Sequence, residues 1–580
     1  MALLGNLGTV RMIFHGLARL ASPTGSLEGV SLFHQLGWAA LGLVQVLFQH
    51  AHLPYGIGDW YWIPSRAISA PGDVEPITEF PFFTFLYADL HAHMIALGLT
   101  LLALAWALAV LVASWRRGVV TWSQRNEETT HDATTHDVTI LLWGALVTGM
   151  LRATNTWDWP TYTALGMLAV GWAVWQRGRG LGIPARLGRA LAAAAALFVA
   201  GMLVVAPYTH WYAQGYNKVH LWQGTRTPTS AYLVHWGLFL FVLVPWLLFE
   251  TIAWLRAVPL LDGLRWWRRW RGRVGGAAAT VAVVALGLTL WGVHIAWLVV
   301  PLAAWAGALL LRPDLPPGRR AALFLLGTGL TLTLVVEVVV LEGDIGRMNT
   351  VFKFYLQVWT LFAVSAAAAW GWLRDGRVLW RPRLWHGWVA GLALLVWGAA
   401  LFPVLGGMAK VKDRMAPEAP HTLDGMAYMD HARYFDQNWD MDLSQDAAAI
   451  RWLREHVDGS PVIVEGNTVE YRWGSRYAIY TGLPSVVGWN WHQRQQRGVV
   501  TSPEWVTDRI AEVAEFYGTT DPQGALAFLR RYGVRYIIVG QLERAYYPGP
   551  GLDKFAEYNG YLWREVFRTG ETVVYEVGER

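Results

Sequence analysis

The chain of 580 residues is 54% hydrophobic and only 15% charged, and it has 36 tryptophans but no cysteine. Soluble domains carry about 25% charged residues, so the composition predicts a membrane protein, and tryptophan suits both bilayer interfaces and stacking on sugar rings. The lack of cysteine excludes disulfides, thiolate catalysis and cysteine zinc sites. The net charge of +5 comes from basic residues in short loops between apolar runs, so we expect no nucleic-acid partner.

Apolar runs dominate the first two thirds of the chain. The run 276–311 is long enough for two spans with a hairpin near Gly292–His294, and weaker candidates lie at 2–20 and 32–50. At about 20 apolar residues per span, residues 1–408 are predicted to form a polytopic α-helical membrane domain with about 10–12 spans. The single spans are 94–113, 138–152, 161–175, 187–207, 231–255, 320–341, 352–373 and 386–407.

Arginine-rich loops alternate with these spans. They follow residues 113, 175 and 373 or occupy 256–274 and 312–320. The positive-inside rule places them in the cytoplasm. We therefore predict a multi-pass protein of the cytoplasmic membrane whose functional site faces outward. The segments assigned to the outer face are 51–93, 153–160, 208–230, 342–351 and everything after 408.

After residue 408 the pattern becomes that of a soluble domain. The segment 444–457 predicts an amphipathic helix with Ser444 as its N-cap. Alternation of helices with short β-branched runs predicts an extracytoplasmic α/β domain over 409–580. Its other predicted elements are helices near 503–516 and 523–532 and strands at 461–466, 534–540 and 571–577.

The string DLHAH places three polar residues at the entry to the 94–113 span. Asp89 and His93 can share a divalent cation such as Mg²⁺ or Mn²⁺, or Asp89, His91 and His93 can act in general acid–base catalysis. Alternatively, Asp89 caps the helix and the histidines lie at the wet interface. The nearby Arg66 and Glu79 favour a functional site and are candidate substrate ligands.

The string RATNTWDWP fills a short outer turn between two spans. Asn155 and Asp158 can bind a sugar hydroxyl or a metal, and Trp157 can stack on a sugar ring. The alternative is an ordinary turn in which Pro160 opens the next helix.

A third string, GRMNTVFKFYLQVW, carries basic residues near the outer surface. Arg347 and Lys353 suit a phosphate or pyrophosphate group, with Asn349 beside them. The alternative is that Glu342 and Asp344 neutralise the basic residues.

The loop 481–498 of the C-terminal domain contains Trp489 and His492. These residues can cover a substrate, or the loop can pack on the membrane domain. The sequence has no Walker A loop, G-x-S-x-G or H-E-x-x-H string, so nucleotide hydrolysis and the common hydrolase mechanisms find no support.

Together these strings resemble the YYY membrane protein family (the Chlor_Arch_YYY domain), a family without an established function. Trp62 with Pro64, Ser65 and Arg66 also matches. The family is distantly similar to the GT-C glycosyltransferases, multi-span enzymes that use lipid-phosphate-linked sugars. The longest matching strings are LLGNL at 3–7, ITEFPFFTFLYADLHAH at 77–93, ATNTWDWPTY at 153–162, GRMNTVFKFYLQVW at 346–359 and TGLPSVVGW at 481–489.

The resemblance implies a GT-C-like membrane protein that takes a sugar from a polyprenyl-phosphate donor on the outer face and passes it to a glycan or protein acceptor. Asp89 would be a metal ligand or base, and Arg347 and Lys353 would hold the lipid phosphate. The chain lacks the tyrosine triplet that names the family, which implies a missing N-terminal part and an inactive chain if that part holds the base.

Two other functions are compatible with the sequence. A transporter or flippase for a lipid-linked or anionic solute would use charged residues within spans, for which Glu250 and Glu337 are the candidates. A non-catalytic membrane assembly protein would bind a partner through its C-terminal domain.

Overall fold

The computed structural model of the chain describes residues 3–88, 91–120, 128–212, 218–312, 314–341, 346–497, 502 and 504–578. Within this set, the side chains of 114–120, 128–137, 260 and 495–497 are not described. The chain divides into two compact units, here called the N-terminal unit and the C-terminal unit. Within the described residues, the first ends at Asp413 and the second begins at Arg414.

The N-terminal unit is almost entirely helical. A short antiparallel pair of strands, β1 (Val219–Leu221) and β2 (Val339–Leu341), is its one sheet within the described residues. Its α-helices are α1 (Gly8–Ala21), α2 (Leu32–Gln49), α3 (Asp59–Trp62), α4 (Pro81–Tyr87), α5 (Ala92–Val120), α6 (Glu128–Thr154), α7 (Trp159–Arg177), α8 (Ile183–Trp211), α9 (Thr229–Ala257), α10 (Leu260–Leu290), α11 (Ala296–Leu310), α12 (Pro317–Val338), α13 (Gly346–Asp375), α14 (Pro382–Leu401) and α15 (Gly407–Arg414).

Seven of the described helices are long and apolar enough to cross a membrane, which confirms a polytopic α-helical architecture. Two further apolar segments, Val138–Thr154 and Ala296–Leu310, are shorter. The predicted spans at 2–20, 32–50 and 161–175 form α1, α2 and α7, which are not among the seven. The seven are Ala92–Ala113, Ile183–Trp211, Thr229–Ala257, Leu261–Leu290, Pro317–Val338, Gly346–Asp375 and Pro382–Arg414.

The apolar run 276–311 folds as two antiparallel helices, as predicted. Helix α10 ends at Leu290 and α11 begins at Ala296, and Gly292 between them has a φ of +94°, which glycine adopts without strain. The prediction of a loop over 256–274 is wrong, because α10 already begins at Leu260 and carries the arginines on its exposed first turns.

Helix α13 is the internal scaffold of the N-terminal unit. Of its most apolar window, 67% is buried inside the protein, the largest share among the seven long helices. Trp359 of α13 packs edge-on against Phe239 of α9, with ring centroids 4.8 Å apart, and against Phe80, at 5.4 Å. Large aromatic surfaces of this kind dominate core packing and fix the position of α13.

The LLGNL string ties three segments together through Asn6, which is only 1% exposed. Its Nδ2 donates to the carbonyl oxygen of Pro64 at 2.8 Å and lies 3.1 Å from Nδ1 of His235 on α9. Its Oδ1 accepts from the backbone N–H of Gly8 at 2.8 Å. A buried amide with these partners anchors the segment that contains Arg66.

The buried carboxylates of the long helices are paired with arginines. Glu250 lies 2.9 Å from Arg319 and 3.4 Å from Arg312, and Glu337 lies 2.5 Å from Arg347. Both carboxylates are fully buried, so the arginines supply the charge that a buried carboxylate needs.

The C-terminal unit is an α/β domain. Its main sheet has the order β5–β6–β8–β7, in which β5 and β6 are parallel and the other pairs antiparallel, and β3 and β4 form a separate hairpin. Its strands are β3 (Arg433–Asp436), β4 (Trp439–Asp442), β5 (Val462–Val464), β6 (Val534–Val539), β7 (Trp563–Thr569) and β8 (Thr572–Val577). Its helices are α16 (Leu443–His456), α17 (Arg476–Thr481), α18 (Asn490–Arg497), α19 (Glu504–Gly518), α20 (Pro522–Tyr532), α21 (Gln541–Tyr546) and α22 (Asp553–Glu557).

The three predicted strands correspond to β5, β6 and β8, whereas β7 and the β3–β4 hairpin were not predicted. The N-cap of α16 was predicted wrongly: Asp442 is the cap, and its Oδ1 accepts from the backbone N–H of Ser444 at 3.0 Å. Aspartate caps a helix as well as serine does, so the helix begins one residue earlier than the apolar pattern indicates.

We expect Lys554, which is 2% exposed, to contribute stability to the C-terminal unit that appears as the pH rises from about 8 to 10.5. Its Nζ donates to the carbonyl oxygens of Gly551 at 2.6 Å and Tyr517 at 3.2 Å, and burial lowers its pKa from 10.5 to about 8. In that window the amine of Lys554 binds more protons in the unfolded chain than in the folded unit, so its contribution to the free energy of unfolding rises with pH, by about 2–3 kcal/mol.

Pulse proteolysis of the C-terminal unit in urea, repeated across this pH window, measures the effect. The Lys554→Met variant is the control, since it has no amine to titrate and should lack this rise. An equal rise in both proteins would contradict the assignment to Lys554.

Candidate functional site

The DLHAH string forms a chain of polar contacts at the start of α5. Asp89, the predicted base and metal ligand, lies outside the described residues. His93 is 9% exposed, and its Nδ1 lies 2.8 Å from Nδ1 of His91. On its other side, Nε2 of His93 lies 3.2 Å from Oε2 of the buried Glu79. Glu79, His93 and His91 therefore lie in a row as three neighbouring ionisable side chains.

Helix α13 packs directly against these histidines. The Phe352 ring meets His93 edge-on, with centroids 4.6 Å apart, and His91 at 5.9 Å. An aromatic wall of this kind fixes the imidazole planes and excludes water from one side of the pair.

The RATNTWDWP turn brings Asp158 into the same neighbourhood. Asn155 Nδ2 donates to Asp158 Oδ2 at 2.9 Å, and Asp158 is 6% exposed. Burial raises the pKa of Asp158 to about 6, while the hydrogen bond from Asn155 and the nearby His93 oppose the rise. Helices α5 and α7, which begin at the first and second strings, pack against each other, so the two strings lie near each other. Pro160 lies in the first turn of α7, as predicted.

The second and third strings also meet, at Trp157 and α13. Nζ of Lys353 lies 4.9 Å from the Trp157 ring centroid. Gln357, one turn further along α13, donates from Nε2 to the carbonyl oxygen of Trp157 at 2.9 Å. The turn is thereby fixed on the helix, and the ammonium group lies over an aromatic face.

Arg347 and Asn349, in contrast, lie closer to the start of α13. Arg347 is 3% exposed and is held by Glu337, with a further hydrogen bond from Nη2 to Oγ1 of Thr227 at 2.7 Å. Asn349 is half-buried. The partner of Arg347 is thus Glu337, whereas the considered partners, Glu342 and Asp344, lie outside the described residues.

Arg66 lies on the side of Glu79. Its guanidinium stacks on Trp62, 4.1 Å from the ring centroid, and its Nη1 donates to Oγ of Ser65 at 2.8 Å. Burial lowers the pKa of Arg66, and the nearby Glu79 carboxylate partly offsets this effect. Arg66 therefore contributes positive charge to the surroundings of Glu79.

Sequence analysis missed Lys410, Phe352 and Gln357. Nζ of Lys410 in α15 lies 3.8 Å from the ring centroid of Tyr87, two residues before the start of the DLHAH string. A lysine that follows an apolar run at the predicted outer face was the available signal for this residue. Phe352 and Gln357 carried no signal, because their roles depend only on what the fold places beside them.

Trp489 and His492 belong to the C-terminal unit, where their ring centroids lie 6.2 Å apart. Trp489 is half-buried and His492 exposed.

The described side chains do not include a complete metal-binding group. Among them, no three histidine, aspartate or glutamate residues converge as a metal-binding group. The contacts between Glu79, His93 and His91 run in series, whereas metal ligands converge on one point. The predicted Asp89 ligand lies outside the described residues.

The long apolar helices define an integral, multi-pass membrane protein. A family model described as "Uncharacterized membrane protein (DUF2298)" matches residues 1–362, and the chain belongs to this family. No curated protein matches the chain. Among solved structures, it is similar to the Archaeoglobus fulgidus oligosaccharyltransferase tethered to an acceptor peptide with the NVT sequon, at 12% identity, 100% coverage of this chain, 70% of that chain and a TM-score of 0.33. A likeness of this strength defines neither the fold nor the function of this chain.

Proposed function

We propose that the protein is a membrane glycosyltransferase that uses a polyprenyl-phosphate-linked sugar. One observation carries the proposal: acid–base groups and a cation–aromatic pair from three distant strings meet along the first three turns of α13. His93 contacts Phe352, and Trp157 contacts both Lys353 and Gln357. This is the set of groups that displacement of a phosphate by a hydroxyl requires.

In this proposal Asp158 is the general base. A carboxylate with a pKa near 6 is ionised at neutral pH yet basic enough to take a proton. It accepts the proton of the acceptor hydroxyl as the oxygen attacks the anomeric carbon and the bond from that carbon to the phosphate oxygen breaks. The ionisable side chains of His93, His91 and Glu79 set the charge near this base. Asp89 remains a predicted base, or a predicted ligand of Mg²⁺ or Mn²⁺.

Lys353 binds the departing phosphate. Its ammonium group is a compact charge on a flexible stem, which suits an anion that changes position during the reaction. Trp157 and Asn155 beside it offer a stacking face and an amide for the sugar. Arg66 and Lys410 add positive charge on the side of Glu79 and Tyr87.

Arg347 acts in this proposal by positioning α13, because its charge is held by Glu337. The phosphate contact predicted for Arg347 and the substrate contact predicted for Asn349 remain predictions. The proposal also includes the resemblance to the YYY family and the GT-C-like arrangement. It places the protein in the cytoplasmic membrane, with the site and the C-terminal unit facing outward, and it takes a glycan or a protein as the acceptor.

We expect Lys353→Met to weaken retention of polyprenyl phosphate by about 10- to 100-fold, as loss of a charge-assisted contact does. Asp158→Asn should retain the lipid but slow sugar release from it by about 100-fold, because the base is lost. Native mass spectrometry of the protein in nanodiscs measures retention, and release is measured with polyprenyl-phosphate glucose and polyprenyl-phosphate mannose labelled in the sugar.

Lys412→Met is the matched control, since Lys412 is an exposed lysine of the same unit. If Lys353→Met behaves like Lys412→Met, the phosphate site is refuted. If the wild type moves the labelled lipid between leaflets without breaking the sugar–phosphate bond, the flippase is correct instead. If neither lipid binds, the assembly protein becomes the better explanation.

A further inference from the structure

The start of helix α10 carries a group of exposed arginines, here called the arginine face. Its members are Arg265, Arg268, Arg269, Arg271 and Arg273. The helix contains one acidic residue, Asp262, so its net charge is +4, from five arginines and one aspartate. Arg265 lies 3.6 Å from Asp262, and within the described residues the other four arginines form no ion pair. The arginine face therefore lacks a matching counter-charge in the part of the protein that the structure describes.

Three tryptophans lie beside the arginine face. At about 100° per residue, the arginines occupy one side of the helix, and Trp266, Trp267 and Trp270 occupy the adjacent arc. Trp266 and Trp267 are 49% and 50% exposed. The guanidinium of Arg273 lies 4.5 Å from the ring centroid of Trp270, where the two arcs meet. Exposed indole rings are enriched at the boundary between lipid and water, so this arc suits the same boundary.

The remainder of α10 places the arginine face beside lipid headgroups. From Val274 to Leu290 the helix is uncharged, and its apolar window is the least buried of the seven long helices. In a membrane this stretch is therefore surrounded by hydrocarbon. Arginine side chains at the end of such a stretch extend towards the headgroup region. Because the helix is continuous, the arginine face lies at the level of the lipid phosphates.

We infer that the arginine face binds the phosphate groups of anionic phospholipids. A guanidinium can bond to two phosphate oxygens through parallel N–H groups. Clusters of about four to eight basic residues next to a membrane helix attract anionic lipids. The adjacent tryptophans favour a lipid surface over an acidic protein as the occupant, because indole rings suit the lipid–water boundary. None of these residues belongs to the proposed transfer site, so the inference does not depend on that function.

The test measures which lipid gathers at the arginine face of the full chain. The chain has no cysteine, so Gly272→Cys carries a fluorophore at one known position on this face. A Cβ atom there would meet no atom within 4 Å. The nanodiscs contain equal parts of phosphatidylcholine and phosphatidylglycerol, and one of the two carries a doxyl group near its headgroup, which quenches only nearby fluorophores. Doxyl-phosphatidylglycerol should quench as if its local concentration were about fivefold or more above that of doxyl-phosphatidylcholine.

Gly287→Cys is the matched label, at an open position on the same helix about 22 Å away. The two doxyl lipids should quench this label equally. The triple variant Arg265→Gln, Arg268→Gln, Arg269→Gln should equalise the two lipids at position 272. Quenching at position 287 should remain the same in that variant, which shows that the helix is still embedded in lipid.

A second triple variant, Arg530→Gln, Arg531→Gln, Arg564→Gln, removes the same charge from exposed positions of the C-terminal unit and should keep the lipid preference at position 272. Equal quenching by the two lipids at position 272 with all arginines present would overturn the inference. A preference that survives loss of the three α10 arginines would also overturn it. Quenching by neither lipid would overturn it as well, and would show that a protein, such as an acidic partner, covers the face.

Discussion

We expect Arg476→Met to lower the free energy of unfolding of the C-terminal unit by about 3–5 kcal/mol. Arg476 is 1% exposed, and its guanidinium lies 2.7 Å from Asp446 and 3.0 Å from Glu543, both buried. Burial alone would raise the pKa of Glu543, but Arg476 more than offsets this and holds that pKa below its usual value. Without the guanidinium, both carboxylates would remain in the core without their counter-charge.

Pulse proteolysis in urea of the full chain in nanodiscs measures this loss. Arg433→Met is the matched control, because Arg433 pairs with Asp440 at 2.8 Å with both side chains more than half exposed. A surface pair contributes at most about 1 kcal/mol. Equal losses in the two variants would show that the buried charge cluster does not stabilise the unit.

The second large effect is expected for Arg347→Met, which should cost the N-terminal unit about 3–5 kcal/mol. Glu337 is fully buried, and its two carboxylate oxygens contact Arg347 and Thr227. Loss of the guanidinium would leave a charge inside a long apolar helix pair. The double variant Arg347→Met, Glu337→Gln should recover most of the loss, since a neutral amide still bonds to Thr227 and no charge remains.

Thermal unfolding of the N-terminal unit in nanodiscs compares these variants. Arg374→Met is the control on the same helix, since Arg374 forms an exposed pair with Asp375. The interpretation fails if the double variant is as unstable as the single one, or if Arg374→Met is as destabilising as Arg347→Met.

The helices could be predicted well where their length and apolar content decide the structure. The run 276–311 was correctly divided, because it is too long for one span and contains a glycine suited to the turn. The segment 256–274 was missed because its arginines and tryptophans were taken as a loop signal. Long basic side chains can extend to water from a continuous helix, so charge marks the interface and does not end the helix.

The site could be predicted only string by string. Trp157 and Gln357 are 200 residues apart, and no periodicity within either string indicates that they touch. The partner of Arg347 was not predicted either, although the two residues are close along the chain. The nearest acids along the chain, Glu342 and Asp344, were considered as partners, but the fold brings Glu337 near the end of α12, ten residues earlier, against Arg347 near the start of α13. Proximity in the fold, and not along the chain, selects the partner.

The position of helix α10 depends more on the surrounding membrane than on contacts with the other helices. Only 6% of its apolar window is buried inside the protein. After the arginine-rich first turns, about 17 residues remain up to Leu290, a length of about 25 Å. The hydrocarbon core of a bilayer is about 30 Å thick, so this apolar part of α10 is shorter than that core. The thickness of the surrounding membrane therefore determines the tilt and depth of α10. Lipids that make the membrane thicker or thinner should change both.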